Sequence, residues 1–160
     1  METENRAMFR DLVSRLLKHF EMRRQSVESN WTRDILCDHG NVPLALLFAP
    51  LFVPDLVEVG DSVFISEGDP EAITSLKECV DKEEGPREKL EQHVNMVELP
   101  FVFSSRKGSE EDCALLAEFI AEAWRGRLAS RFPGRTFRVW VDPPAVAGHP
   151  IVRFHELRAP

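Results

Sequence analysis

Four side chains near the C-terminus, Arg138, Trp140, Arg153 and His155, form the set whose types and spacing could grip a ligand. They alternate with apolar residues: Phe137, Val139 and Val141 in one stretch, Val152 and Phe154 in the other. Successive side chains of a strand point to opposite faces. If the two stretches pair with their apolar residues on the core, the two arginines, the tryptophan and the histidine share the other face. A one-residue slip of the second strand would dissolve that arrangement. Two guanidinium groups beside an indole and an imidazole suit a carboxylate, a phosphate or a partner's acidic loop. The alternative is structural: Trp140 packs beneath another element while the arginines stack on it and reach to water.

Arg127 is the fifth candidate. At about 100° per residue it falls within the Leu116, Ile120 and Ala123 stripe of its helix. An arginine there is either an inward hook for a ligand or a last-turn cation that offsets the helix dipole. Cys37-Asp38-His39 raises the question of a metal or a thiol–imidazole pair. Zinc takes four ligands, usually in closely spaced pairs, and no second such pair occurs. Adjacent residues on a helix do not face each other, which also disfavours Cys37 as a nucleophile served by His39. His19, His93 and His149 stand without a visible partner in the sequence. No nucleophile elbow, phosphate loop, dinucleotide fingerprint or zinc-protease motif is present. Carboxylate pairs such as Glu83-Glu84 and Glu110-Glu111 sit in hydrophilic runs or first helical turns, without the contrasting environments that acid–base couples need. No catalytic residue, metal or cofactor is expected.

The elements that must position these residues form a C-terminal unit, 109–157. Ser109-Glu-Glu-Asp112 reads as a capped helix start. Cys113, Leu116, Phe119, Ile120, Ala123, Trp124 and Leu128 supply a broad apolar face. Phe132-Pro-Gly-Arg135 breaks the helix, and strands follow at Thr136–Val141 and Ile151–Leu157 around a proline-rich loop. Upstream, 4–29 reads as a long amphipathic helix and Thr32–Asp38 as a short one ending at Gly40. Residues 42–54, interrupted by Pro43, Pro50 and Pro54, read as a short buried helix plus an extended segment. Leu56–Val59 and Ser62–Ser66 flank Gly60-Asp61, a tight hairpin. Asp69-Pro70-Glu71 starts a helix with Ile73, Leu76 and Val80 inward. Pro86 starts another through Leu90, Val94 and Val97, and Leu99–Phe103 is extended.

The 160 residues carry a net charge of −7, unevenly spread. Residues 55–99 hold thirteen acidic and four basic side chains, a net of −9, whereas 100–160 hold seven acidic and nine basic, a net of +2. Opposed patches steer encounter with a partner or a second copy. Net acidity argues against nucleic acid, which needs clustered cations. No run of eighteen apolar residues occurs, so no membrane span is expected. Met-Glu-Thr-Glu-Asn-Arg leads into charged helix, so no signal peptide is expected. Cys37, Cys79 and Cys113 read as free, buried thiols of a reducing cytoplasm.

The expectation is a single α+β domain over 1–160, with several helices on a small antiparallel sheet of about four strands built from two hairpins, 56–66 and 136–157. The function that fits is a non-enzymatic cytoplasmic protein-binding module of inhibitor, immunity or adaptor type, meeting a protein partner or its own copy. The competing expectation is a small-molecule enzyme or binding domain holding an anionic ligand near the C-terminal sheet and 42–54, with Arg138, Arg153, His155 and Arg127 as its cations.

Overall fold

A computed structural model of the chain describes residues 42–66, 68–82, 85–102 and 110–158. The expected helices at 4–29 and 32–38, the Cys37-Asp38-His39 triplet and the Ser109 cap lie outside the described residues. The chain divides into two compact units, 1–49 and 50–160. Of the first, residues 42–49 are described, and they begin helix α1 (Val42–Phe52). The second unit is an α+β assembly and carries every other element below.

Helix α1 runs through Pro50 to Phe52, where an extended segment was expected. The proline sits in the last turn and forgoes only the bond that its N–H would make to the carbonyl four residues back. The expectation of burial fails at Val42, Leu46 and Leu47, which are exposed. Leu51 and Phe52, at the end of the helix, pack against the core of the second unit.

Strands β1 (Asp55–Val59) and β2 (Ser62–Ser66) form the expected hairpin, with Val59 opposite Ser62 and Gly60 at φ 62° opening the turn. Helix α2 (Pro70–Lys82) begins as anticipated, the Asp69 carboxylate accepting the Glu71 N–H at 3.0 Å. Its Val80 joins Val59 and Phe64 in a small apolar cluster.

Helix α3 (Arg87–Val94) stops at Asn95, and Met96–Glu98 is strand β3. Leu99–Val102, expected to be extended, forms a helical turn, α4. Val94 and Val97 stand at helical spacing, which hides the break. The break is made by Asn95 (φ −85°, ψ 64°), whose side chain has partners outside the helix. Helix α5 (Glu110–Arg131) and strands β4 (Phe137–Asp142) and β5 (Ile151–Glu156) follow, with one helical turn, α6 (Pro144–Ala147), in the proline-rich loop. Among the described residues the strands therefore number five rather than four. They form a two-stranded sheet and a three-stranded antiparallel sheet in the order β3-β5-β4.

The main core lies between α5 and the three-stranded sheet. Ala117, Ile120, Ala121, Trp124 and Leu128 meet Val139, Val152 and Phe154. Two fully buried alanines four residues apart let the helix approach closely. Trp124 packs edge-on to Phe154, centroids 5.7 Å apart, and donates its indole N–H to the Leu51 carbonyl at 2.8 Å.

Candidate functional site

The pairing of β4 with β5 decides whether the predicted face exists. Val139 stands opposite Phe154 and Val141 opposite Val152; Arg138 stands opposite His155 and Trp140 opposite Arg153. Pairs directly opposite share a face. The apolar set therefore lines the α5 side, and Arg138, Trp140, Arg153 and His155 are assembled on the other.

Within that face the four residues divide. Arg138 is exposed, and its guanidinium carbon lies 5.2 Å from the centre of the Trp140 ring, a cation–π stack. Trp140 is half-buried, meets the His155 ring edge-on at 5.5 Å, and donates its N–H to Asp142 Oδ1 at 2.8 Å. Arg153 is already engaged: Nε donates to Asp142 Oδ2 at 2.7 Å and Nη1 to the Gln92 carbonyl at 2.9 Å. His155 is 3% exposed; its Nδ1 donates to the Glu156 carbonyl at 3.2 Å, and its Nε2 is buried with no hydrogen-bond partner. The face thus presents a flat indole topped by one cation, with the second cation and the imidazole held beneath or beside it.

Arg127 belongs to another layer. Helix α5 packs against the opposite side of the sheet, so Arg127 does not converge with the other four. It is half-buried, and its Nε has no hydrogen-bond partner. The neighbouring Arg125 is engaged at both ends of its fork, since Nη1 pairs with Glu122 at 3.0 Å while Nη2 donates to the Val139 carbonyl at 3.1 Å. Phe154 N–H bonds the Asn95 carbonyl on the β3 side, so its opposite number Val139 also points away from the β4–β5 ladder. Arg125 therefore covers the outer edge of β4.

A second constellation escaped the sequence reading. Glu91 of α3 is fully buried, and both its carboxylate oxygens are used. Oε2 accepts the Glu156 backbone N–H at 2.9 Å, and Oε1 accepts Arg158 Nη2 at 2.6 Å. Arg158 also reaches the Asp61 carbonyl and Ser62 Oγ, both at 3.2 Å. Arg135 grips Glu156 with two nitrogens, Glu58 at 3.0 Å and the Asp61 carbonyl at 2.7 Å, and lies 5.4 Å from the Phe132 ring centre. Hydrogen bonds to Glu156 and to Glu91 raise the pKa values of Arg135 and Arg158 respectively, against the lowering effect of burial. The signal was available: Glu91 stands three residues before Val94, so an inward Val94 carries Glu91 inward. The cluster ties the β1–β2 turn to the end of β5, and its charges are satisfied by one another.

His149 lies 2.9 Å from Glu98, a pairing that spans 51 residues and leaves no mark in the sequence. Among the described residues no group of three His, Cys, Asp or Glu is placed to hold a metal ion. Cys79 is exposed, against the expected burial, whereas Cys113 is half-buried, and burial, Asp112 and Glu110 push its thiol pKa up. At neutral pH iodoacetamide is expected to alkylate Cys79 well before Cys113, because the thiolate is the reactive form. Peptide mass mapping over time measures the order; equal rates would contradict this description of Cys113. No helix among the described residues is long and apolar enough to cross a membrane. The chain matches no family model, no curated protein and no solved structure.

Proposed function

We propose that the chain is a non-enzymatic protein-binding module that meets an acidic partner through the outer face of β4 and β5. The observation that carries this reading is the exposed Arg138 guanidinium stacked 5.2 Å from the Trp140 ring centre. Tryptophan and arginine are the residues most often found as interface anchors, and a rigid flat pair spends little entropy on docking. Two of the cations assigned to an anion pocket are otherwise placed: Arg153 is neutralised by Asp142, and Arg127 lies on the other layer. This favours the interface reading over the pocket. An inhibitor, immunity or adaptor role fits such a face, and the free thiols of Cys79 and Cys113 suit a reducing cytoplasm.

Affinity capture with the whole chain as bait tests the reading. Arg138→Glu and Trp140→Ala are each expected to weaken a stoichiometric partner at least about tenfold, with circular dichroism unchanged for the exposed Arg138 variant. A small anionic metabolite that raises Tm in the parent chain but not in Arg138→Ala would overturn the interface reading in favour of a ligand site.

A further inference from the structure

We propose that the outer edge of β4 is a second interaction surface, whose partner is another copy of this chain paired antiparallel about Val139. This goes beyond the protein-binding reading above, because it adds the strand's backbone edge, with Arg138 and Trp140 of the outer face meeting across the seam.

Three observations carry it. First, β4 ends the three-stranded sheet, and a terminal strand presents a row of backbone donors and acceptors. Elsewhere the fold covers such rows with dedicated groups. The side chain of Asn95 meets Val63 and Ile65 on the open side of β2, while its backbone carbonyl and the Glu91 carboxylate meet Phe154 and Glu156 of β5. On β4, among the described residues, the cover is one arginine on one carbonyl, Arg125 on Val139. Arg125 is 39% exposed, so it can swing into water.

Second, the strand is built for pairing. Four of the six residues of Phe137-Arg-Val-Trp-Val-Asp142 are aromatic or β-branched, neither proline nor lysine interrupts them, and the two charged residues, Arg138 and Asp142, are of opposite sign and so do not repel an antiparallel copy.

Third, the sequence is self-complementary in one register. Val139 turns its N–H and C=O outward, so two copies can exchange both bonds there as a closely bonded pair. That register sets Arg138 of one copy opposite Trp140 of the other, twice by symmetry, and Phe137 opposite Val141. Each indole would then lie between two guanidinium groups, its own and the other copy's, with Asp142 diagonal to the incoming arginine. A symmetric strand pair closes on itself, which limits the assembly to a dimer at this edge.

Sedimentation velocity of the full chain over a concentration series is expected to show a reversible monomer–dimer equilibrium. Arg125→Ala removes the competitor for the Val139 carbonyl and is expected to tighten the dimer roughly three- to tenfold. Cross-linking fixes the register. In a background with Cys37, Cys79 and Cys113 replaced by serine, the variants Arg138→Cys and Trp140→Cys are expected to form a disulfide quickly when mixed and slowly alone. A chain that stays monomeric throughout overturns the proposal. So does a dimer that Arg125→Ala weakens, or one in which mixing the two cysteine variants does not accelerate cross-linking. A monomer that still captures a foreign partner, and loses it in Arg138→Glu, sinks this inference while leaving the protein-binding reading intact.

Discussion

Replacing Arg158 with methionine is expected to destabilise the fold by about 3–5 kcal/mol, a Tm drop of roughly 6–20 °C for a chain of this size. The reason is the carboxylate it leaves behind. Glu91 is fully buried, and Arg158 contacts it with both terminal nitrogens, at 2.6 and 3.3 Å. Removing one member of a buried pair strands the other's charge in a poorly solvated site. Arg158 itself is a quarter exposed, so water will relieve part of the loss and the lower half of that range is the better target. Denaturant unfolding followed by circular dichroism measures it. The double variant Glu91→Leu with Arg158→Met should recover part of the loss, since an apolar pair of similar volume removes the stranded charge. Recovery will be incomplete, because the Glu156 N–H loses the acceptor it has at 2.9 Å. A single variant within about 0.5 kcal/mol of the parent, the size of an ordinary surface substitution, would show that Glu91 is hydrated and the pair unimportant.

The same cluster predicts a pH response of definite sign. Arg135 and Arg158 have pKa values raised above the ordinary arginine range. A raised folded-state value gives stability that is fully present below the unfolded value and lost only as pH rises through the folded one. These two cations therefore hold their share of the fold throughout the neutral and moderately alkaline range. The Arg158→Met penalty should be the same at pH 7 and at about pH 10, well below the arginine range.

How far the sequence foretold this arrangement follows from the range of the interactions involved. Elements set by local chemistry were legible. Asp69 before Pro70, Gly60-Asp61 between alternating runs and the Phe132-Pro-Gly-Arg135 break each act within a few residues. Alternation in 136–157 likewise offered Arg138, Trp140, Arg153 and His155 as one face, but only on condition of a register that the β4–β5 pairing supplies. What that face is worth was not legible. Whether Arg153 is free depends on Asp142 and on a carbonyl of α3, 61 residues away in sequence. The burial of His155 is likewise a property of the assembled sheet. Strand β3 was missed for the same reason: three residues carry no period, and what makes Met96–Glu98 a strand is the neighbouring β5. Glu91 is the instructive case. Val94, three residues on, already pointed it inward, yet a carboxylate in a charged helix reads as solvated unless its cation is known to arrive from near the far end of the chain.

Asn95→Leu is the second substitution expected to do large damage, about 2–6 kcal/mol, and the reasoning differs because no charge is involved. Since Val59 and Ser62 close the hairpin, Ser62, Phe64 and Ser66 bond back to β1 and leave Val63 and Ile65 facing away from it. Their backbone groups would be orphaned there. The Asn95 amide supplies both complements, donating to the Val63 carbonyl at 2.8 Å and accepting the Ile65 N–H at 2.9 Å. The side chain is fully buried, so leucine leaves a donor and an acceptor unpaired away from water, at about 1–3 kcal/mol each. Aspartate discriminates between lost bonds and lost shape. It is close in size to asparagine and still accepts from Ile65, but its second oxygen faces the Val63 carbonyl, acceptor against acceptor. Asn95→Asp should therefore retain most of the Ile65 amide's protection from hydrogen exchange only when the carboxyl is protonated, and lose it as the group ionises. Exchange at Ile65 that is as slow in Asn95→Leu as in the parent chain would mean that this edge of β2 is satisfied by something other than Asn95. The break at the end of α3 would then have to be explained by the backbone alone.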